Sequence, residues 1–154
     1  MSTTVPELPP LTPGARRVLD AASDLFYERG IHAVGVDTIA AAAGVTKKTL
    51  YDRFGSKEAL CRPVFARRAH ALALARAQAL GEAMARPVLD VGEIVAALIG
   101  PSVRQRFSEG VQGAAFAMMT AREAIDPREA ARGVVAEHFD PTARQFVAAL
   151  GKVY

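Results

Sequence analysis

Three of the four lysines in the chain, Lys47, Lys48 and Lys57, lie within eleven positions of one another. With Arg53 they make this stretch locally basic, although the whole chain carries a net charge of only +3. Ammonium and guanidinium groups bind phosphates and other anions. The distribution of charge, more than its total, therefore predicts an anionic partner for this stretch.

The elements that carry this basic stretch are predicted to be short helices. The pair Thr12-Pro13 is typical of a helix start, and apolar residues at helical spacing continue until Gly30. A second helix is predicted from Val36 to Ala43, where Gly44 permits a sharp turn because it has no Cβ. Both helices precede the lysines.

The lysines themselves fall in a third helix, which Thr46 is predicted to cap. Leu50 and Phe54 lie on one face of this helix, Gly55 ends it, and Ser56 caps the next one. Two short helices separated by a glycine-containing turn, after a longer helix, predict a helix-turn-helix within a three-helix unit.

The outer side of the third helix is polar. Since Leu50 and Phe54 must face the core, the side chains displayed outward are Thr46, Lys47, Lys48, Thr49 and Tyr51. Two lysines at the positive end of a helix dipole are unfavourable in an isolated protein, and a DNA phosphate would remove that penalty. Lys, Thr and Tyr side chains reach both phosphates and base edges. The alternative is an ordinary solvated helix end.

The composition favours helices throughout. Of the 154 residues 51% are hydrophobic and only 6% aromatic, and alanine is abundant, so an all-α protein of one or two domains is expected. Cys61 is the single cysteine and cannot form an internal disulfide. With no recognisable signal peptide and no apolar stretch of membrane-spanning length, we expect a cytoplasmic protein that does not enter a membrane.

Beyond the basic stretch, a helix of about 25 residues is expected from Lys57, with a kink at Pro63. The dipeptide Gly100-Pro101 predicts a break between helices near Asp90–Ile99 and Ser102–Ile125. No pattern of catalytic triad, paired carboxylates, metal ligands or phosphate-binding loop is present, so no enzyme, catalytic residue, metal or cofactor is predicted.

Residues 22–60 resemble the DNA-binding domain of TetR-family transcriptional regulators. The resemblance rests on L-F-x-x-x-G at the end of the first helix, I-A-x-x-A-G-V in the second, and T-L-Y-x-x-F-x-S-K-x-x-L across the third and fourth. All three motifs occur together and in the family's order. Their joint occurrence is far more specific than any one of them alone.

The resemblance implies that the third helix enters the major groove of double-stranded DNA. Its first four residues would read bases or adjacent phosphates, while Tyr51 and Lys57 would hold the backbone. Arg53 stands where the family often has histidine, and Thr38 is a weaker candidate on the second helix. The implied DNA-binding residues are Thr38, Thr46, Lys47, Lys48, Thr49, Tyr51, Arg53 and Lys57.

The resemblance also divides the chain into three parts. Residues 1–12 are expected to form a flexible arm that buries little, 13–60 the helix-turn-helix domain, and 61–154 a helical regulatory domain. In the family, that domain encloses a cavity for a small, apolar effector. Plausible lining residues are Phe107, Phe116, Met119 and Phe139. Ordinary core packing is the alternative for these side chains.

The function implied is that of a repressor. A homodimer would bind a pseudo-palindromic operator and would be released when the effector binds. The chain ends where the family's two last, dimerising helices would begin, so the regulatory domain is expected to be short. The alternative is therefore a truncated regulator, or a helical interaction protein without autonomous operator binding.

Overall fold

A computed structural model of the chain describes residues 5–108 and 141–153. The described residues form helices and no strands, which confirms the all-α prediction. The helices are α1 (Pro13–Arg29), α2 (Val36–Ala43), α3 (Lys47–Phe54), α4 (Lys57–Met84) and α5 (Val91–Ser108). Residues 141–150 form a further helix, called here the C-terminal helix. No helix of the described ranges is both long and apolar enough to cross a bilayer.

The predicted ends of α1 are confirmed. The Thr12 hydroxyl accepts a hydrogen bond from the Ala15 N–H at 3.3 Å, which satisfies one of the unpaired donors of the first turn. At the other end, Gly30 takes a φ of +82° and donates its N–H to the Phe26 carbonyl at 2.9 Å. These local signals act within a few residues, so the sequence alone locates them.

The turn between α2 and α3 also follows the prediction. Gly44 adopts a left-handed conformation with a φ of +65°, and the next N–H, that of Val45, donates to the Ala40 carbonyl at 3.0 Å. The Thr46 hydroxyl then caps α3 by accepting from the Thr49 N–H at 3.1 Å. One glycine and one threonine thus define the angle at which α3 leaves α2.

One apolar core joins the first four helices. Its largest fully buried members include Leu19 and Phe26 of α1, Ile39 of α2, Leu50 of α3 and Leu60 of α4. Because each helix contributes a side chain that is 1% exposed or less, removing any one of them would open a cavity at the centre of the unit. The three-helix unit is therefore held rigidly against the start of α4.

A second core joins α4, α5 and the C-terminal helix. It consists of Leu80, Ile94, Ala97, Phe146 and Ala149, each no more than 7% exposed. Phe146 therefore serves as packing between helices. This core lies far along α4 from Lys57, so α4 is the element that belongs to both halves of the molecule.

The predicted break at Gly100-Pro101 is wrong, because α5 is continuous from Val91 to Ser108. Proline removes a helical N–H and normally costs about 3 kcal/mol in a helix interior. Here Arg76 of α4 bonds to both sides of the proline: its Nε donates to the Leu98 carbonyl at 3.0 Å and a terminal nitrogen donates to the Ser102 hydroxyl at 2.7 Å. Tertiary packing thus outweighs the local signal.

The N-terminal segment also differs from the expectation that it buries little. Residues 5–12 are not helical, yet Val5 is only 7% exposed and Leu11 packs against the first core. A proline-rich extended segment can lie on a helix surface because its prolines have no N–H to satisfy. Its apolar side chains then stabilise that position.

Candidate nucleic-acid interface

The exposed start of α3 is the centre of the candidate interface. Leu50 is fully buried and anchors the helix, so the residues before it are turned away from the core. Thr46, Lys47 and Lys48 are exposed and Thr49 is half-buried. The hydroxyls of Thr46 and Thr49 lie 2.8 Å apart and hydrogen-bond to each other. In this pair one hydroxyl donates and the other accepts, so the accepting hydroxyl keeps its own O–H for a contact with DNA.

Lys47 links α3 to α2. Its Nζ lies 3.1 Å from Oδ1 of Asp37, which is in the first turn of α2. The hydrogen bond from Lys47 to Asp37, and then the charge of Asp37, raise the pKa of Lys47. The lysine therefore remains protonated at neutral pH and able to bind an anion.

Lys48 pairs within its own helix. Its Nζ lies 2.7 Å from Oδ2 of Asp52, one turn further along α3, and the two side chains are 84% and 61% exposed. The expected repulsion between the two lysines and the helix dipole is thus offset by two carboxylates. The spacing of Lys48 and Asp52 could have been recognised from the sequence, whereas no local pattern joins Lys47 to Asp37.

Thr38 and Tyr51 extend the exposed surface. Thr38 is exposed on the first turn of α2, and Tyr51 is 42% exposed on α3. The contact of Lys47 with Asp37, the residue before Thr38, brings the first turn of α2 beside the start of α3. We call the exposed and half-exposed polar residues of these two segments the reading face. Its members are Thr38, Thr46, Lys47, Lys48, Thr49 and Tyr51.

The other two predicted residues are tied to the scaffold around the reading face. Lys57 is half-buried and donates to the Ile31 carbonyl at 3.1 Å, so it holds the loop after α1 against the start of α4. Arg53 donates a hydrogen bond to the Thr12 hydroxyl. Arg53 therefore joins the end of α3 to the start of α1.

Arg17 was missed by the sequence analysis. Its Nε donates at 3.2 Å to the carbonyl of Ala43, the last residue of α2. A cation at a helix C-terminus is favourable because the exposed carbonyls carry partial negative charge. Arg17 thus positions the α2–α3 turn, and no local signal in the sequence could reveal a contact between residues 26 positions apart.

Two contacts connect α1 to the middle of α4. A guanidinium nitrogen of Arg67 lies 2.7 Å from Oδ1 of Asp20, and the Arg68 guanidinium lies 4.4 Å from the centre of the Tyr27 ring. A rotation of α4 would therefore carry the three-helix unit with it.

Of the four predicted effector residues, the structure describes only Phe107. Phe107 is 81% exposed near the end of α5, and no described residue encloses it. Phe116, Met119 and Phe139 lie outside the described residues. In the described ranges no group of three His, Cys, Asp or Glu side chains could hold a metal ion.

Two family models match most of this chain. The model of bacterial regulatory proteins of the tetR family matches residues 18–63, and that of the tetracyclin repressor-like C-terminal domain matches residues 96–154. The chain belongs to the TetR family. The first match runs from Val18 within α1 to Pro63 near the start of α4, so the resemblance carried by residues 22–60 is confirmed. The two matching models describe bacterial regulatory proteins and a repressor-like domain.

A relative supports the TetR assignment over part of the chain. The HTH-type transcriptional activator FasR of Mycolicibacterium smegmatis is 45% identical over 64 residues, which are 42% of this chain and 29% of FasR. The chain matches less than half the length of FasR and of three further curated relatives.

Solved structures agree with the TetR fold. A Mesorhizobium loti protein assigned to the TetR family of regulators aligns with a TM-score of 0.73 at 18% identity, covering 93% of this chain and 70% of that one. The TetR-family transcriptional regulator PfmR of Thermus thermophilus aligns with a TM-score of 0.61 at 26% identity, covering 90% of this chain and 73% of PfmR.

Proposed function

We propose that the protein is a sequence-specific, DNA-binding transcriptional regulator whose helix α3 enters the major groove. The observation that carries the proposal is the reading face: an exposed helix N-terminus that displays two lysines and two threonines beside α2. Backbone N–H groups and the helix dipole at such an end favour phosphate. Membership of the TetR family supports the same function.

The roles of individual side chains follow from their positions on this face. Thr46, Lys47, Lys48 and Thr49 would contact bases and adjacent phosphates, with Thr38 beside them on α2. Tyr51 would contact the DNA backbone. In this proposal residues 13–60 form the DNA-binding domain.

Lys57 and Arg53 also have a structural role, because their hydrogen bonds hold a loop and a helix end in place. Contact of Lys57 with a phosphate would require its Nζ to turn from the Ile31 carbonyl. Arg53 can contact DNA only by giving up its bond to Thr12. We therefore assign both residues chiefly to the edge of the interface.

We further propose that the protein acts as a homodimeric repressor. Residues 61–154 would form the regulatory domain, and a small apolar effector bound there would release the operator. The match of residues 96–154 to a repressor-like C-terminal domain supports this proposal. The relative FasR is named an activator, so whether this protein represses or activates transcription needs its own test. If it represses, a reporter gene under the selected operator should be less active when the protein is expressed.

The proposed effector site includes Phe107, Phe116, Met119 and Phe139. Continuity between the two halves supports an effect on DNA binding, because α4 belongs to both cores and the Asp20–Arg67 pair joins it to α1. In a dimer, the two α3 helices must lie about 34–36 Å apart to enter successive major grooves. A small rotation of α4 would change that distance and weaken DNA binding.

Selection from random duplexes, followed by fluorescence anisotropy, tests DNA binding. We expect the selected duplex to bind well at 50 mM salt and about a thousandfold more weakly at 200 mM, since phosphate contacts release counterions. Lys47→Ala should weaken binding and lower the salt slope by about one. Arg104→Ala, which removes an exposed cation from α5, is the matched control. Equal effects of the two variants would count against the reading face.

A helical interaction protein is a second candidate. Four apolar side chains recur every four residues along α5 and are exposed: Val95, Ile99, Val103 and Phe107. A contiguous apolar row of this kind favours contact with another protein surface. Under this candidate the selection would return no sequence preference, which separates it from the regulator.

A further inference from the structure

Lys48 and Asp52 form one exposed unit on α3. The Nζ and Oδ2 atoms lie 2.7 Å apart, and both side chains project from the helix that we propose for the major groove. Ion pairs this exposed contribute little to stability, because water screens the charges and the side chains lose rotamer freedom. Protein stability therefore does not account for an acidic residue on a surface proposed to bind a polyanion.

The unit offers one donor group beside one acceptor group. The lysine ammonium only donates hydrogen bonds, and the ionised carboxylate only accepts them. In the major groove a G·C base pair offers the complementary arrangement: N7 and O6 of guanine accept, and the neighbouring N4 amino group of cytosine donates. Lysine pairs with guanine and aspartate with cytosine in this groove.

We propose that Lys48 and Asp52 together read one G·C base pair of the operator, Lys48 donating to guanine and Asp52 accepting from cytosine N4. This inference rests on the proposed function. At that position an A·T pair in the same orientation would place thymine O4, an acceptor, against the carboxylate. Asp52 thereby rejects A·T, and also C·G through guanine O6, by repulsion as well as recognising G·C by attraction. A T·A pair offers the same acceptor and donor edges, and Lys48 discriminates against it because thymine lacks the N7 acceptor of guanine.

The pair between Lys47 and Asp37 is less suited to this role. Asp37 lies on α2, so that pair spans two helices, and Lys47 is 52% exposed against 84% for Lys48. Its contact holds the start of α2 against the start of α3. The Lys48–Asp52 pair lies within α3 and can approach a base pair without separating two helices.

The test compares operator selection by the wild-type protein and by Asp52→Asn. The wild-type protein should select G·C at one position, and the variant should lose about 5- to 100-fold of the discrimination at that position alone. Asparagine both donates and accepts, so it no longer rejects an acceptor base edge. Lys48→Gln should relax the same position, and the double variant should add no further loss there.

A charge control separates readout from general electrostatics. Asp52→Asn raises the net charge by one, as does Glu82→Gln, which lies about 37 Å along α4 from Lys57. Glu82→Gln should leave every base preference unchanged.

Two different failures can be told apart. If the wild-type protein selects no motif, the proposed function fails. If it selects a motif that Asp52→Asn reproduces at every position, the readout by Lys48 and Asp52 is wrong while the proposed function stands.

Discussion

Single residues decide the charge and shape of the candidate interface. The basic stretch that the sequence predicts is nearly neutral in the folded chain, because Asp37 and Asp52 each pair with a lysine. Anion binding at α3 therefore depends on exchanging carboxylate partners for phosphates or bases. Exposed pairs are weak enough for that exchange, because water screens their charges.

Gly44 is the residue whose backbone conformation the α2–α3 turn requires. A Cβ at Gly44 would meet no atom within 4 Å, so its φ of +65° is the only obstacle to a side chain. We expect Gly44→Ala to lower the free energy of unfolding by about 1–2 kcal/mol, measured by urea denaturation.

Gly81 provides the matched control for this substitution. It lies within α4, and a Cβ there also meets no atom within 4 Å. Gly81→Ala should therefore stabilise the protein by about 0.5–1 kcal/mol, because alanine favours a helix interior. If both substitutions raised or both lowered the free energy of unfolding, the argument from backbone conformation would be contradicted.

At the scale of elements, α5 depends on a contact that its own sequence does not contain. Arg76 supplies hydrogen bonds to Leu98 and Ser102 on the two sides of Pro101. Burial lowers the pKa of Arg76, since a half-buried guanidinium loses part of its hydration. Its hydrogen bonds offset part of that cost.

We expect Arg76→Met to lower the free energy of unfolding by about 1–3 kcal/mol. The substitution keeps an apolar stem of similar length but removes donors from a half-buried carbonyl and hydroxyl. Helix content measured by circular dichroism should also fall if α5 then breaks at the proline. Arg104→Met, on the exposed side of α5, is the control, and an equal loss in both variants would show that Arg76 has no special role.

At the scale of the whole molecule, α4 joins the two halves. Its first half packs in the core of the three-helix unit and its last turns pack against α5 and the C-terminal helix. An effector or partner that moves α5 would therefore move α4, and with it the reading face. This continuity is the physical basis for the proposed regulation.

The homodimer proposal makes a prediction about the operator. The selected site should contain two half-sites with centres one helical turn apart, and light scattering of the complex should give the mass of two chains plus one duplex. Inserting five base pairs between the half-sites should weaken binding strongly. The second half-site would then lie on the opposite side of the duplex, out of reach of the α3 helix of one protomer. The control is a five-base-pair insertion outside the two half-sites, which leaves their spacing unchanged. A complex of one chain, indifferent to spacing, would contradict the proposal.

The elements of the three-helix unit could be predicted because their signals are local. Thr12, Thr46 and Ser56 cap the residues three positions on, and Gly30 and Gly44 end helices by their own backbone conformation. The exposure of Lys47 and Lys48 follows from helical spacing once Leu50 is assigned to the core.

The remaining features are contacts between residues distant in sequence. Lys47 with Asp37, Arg17 with Ala43, and Arg53 with Thr12 join different helices, so neither spacing nor composition could predict them.

The sequence by itself determined the all-α class, the bounds of the first helices and the family, since caps, turns and motifs act over short stretches. Only the tertiary structure decided that α5 continues through Pro101 and that Lys47 of α3 pairs with Asp37 of α2. The physical reason is the same in both cases. A local preference of a few kcal/mol is overruled when folding brings a distant donor or charge within hydrogen-bonding distance.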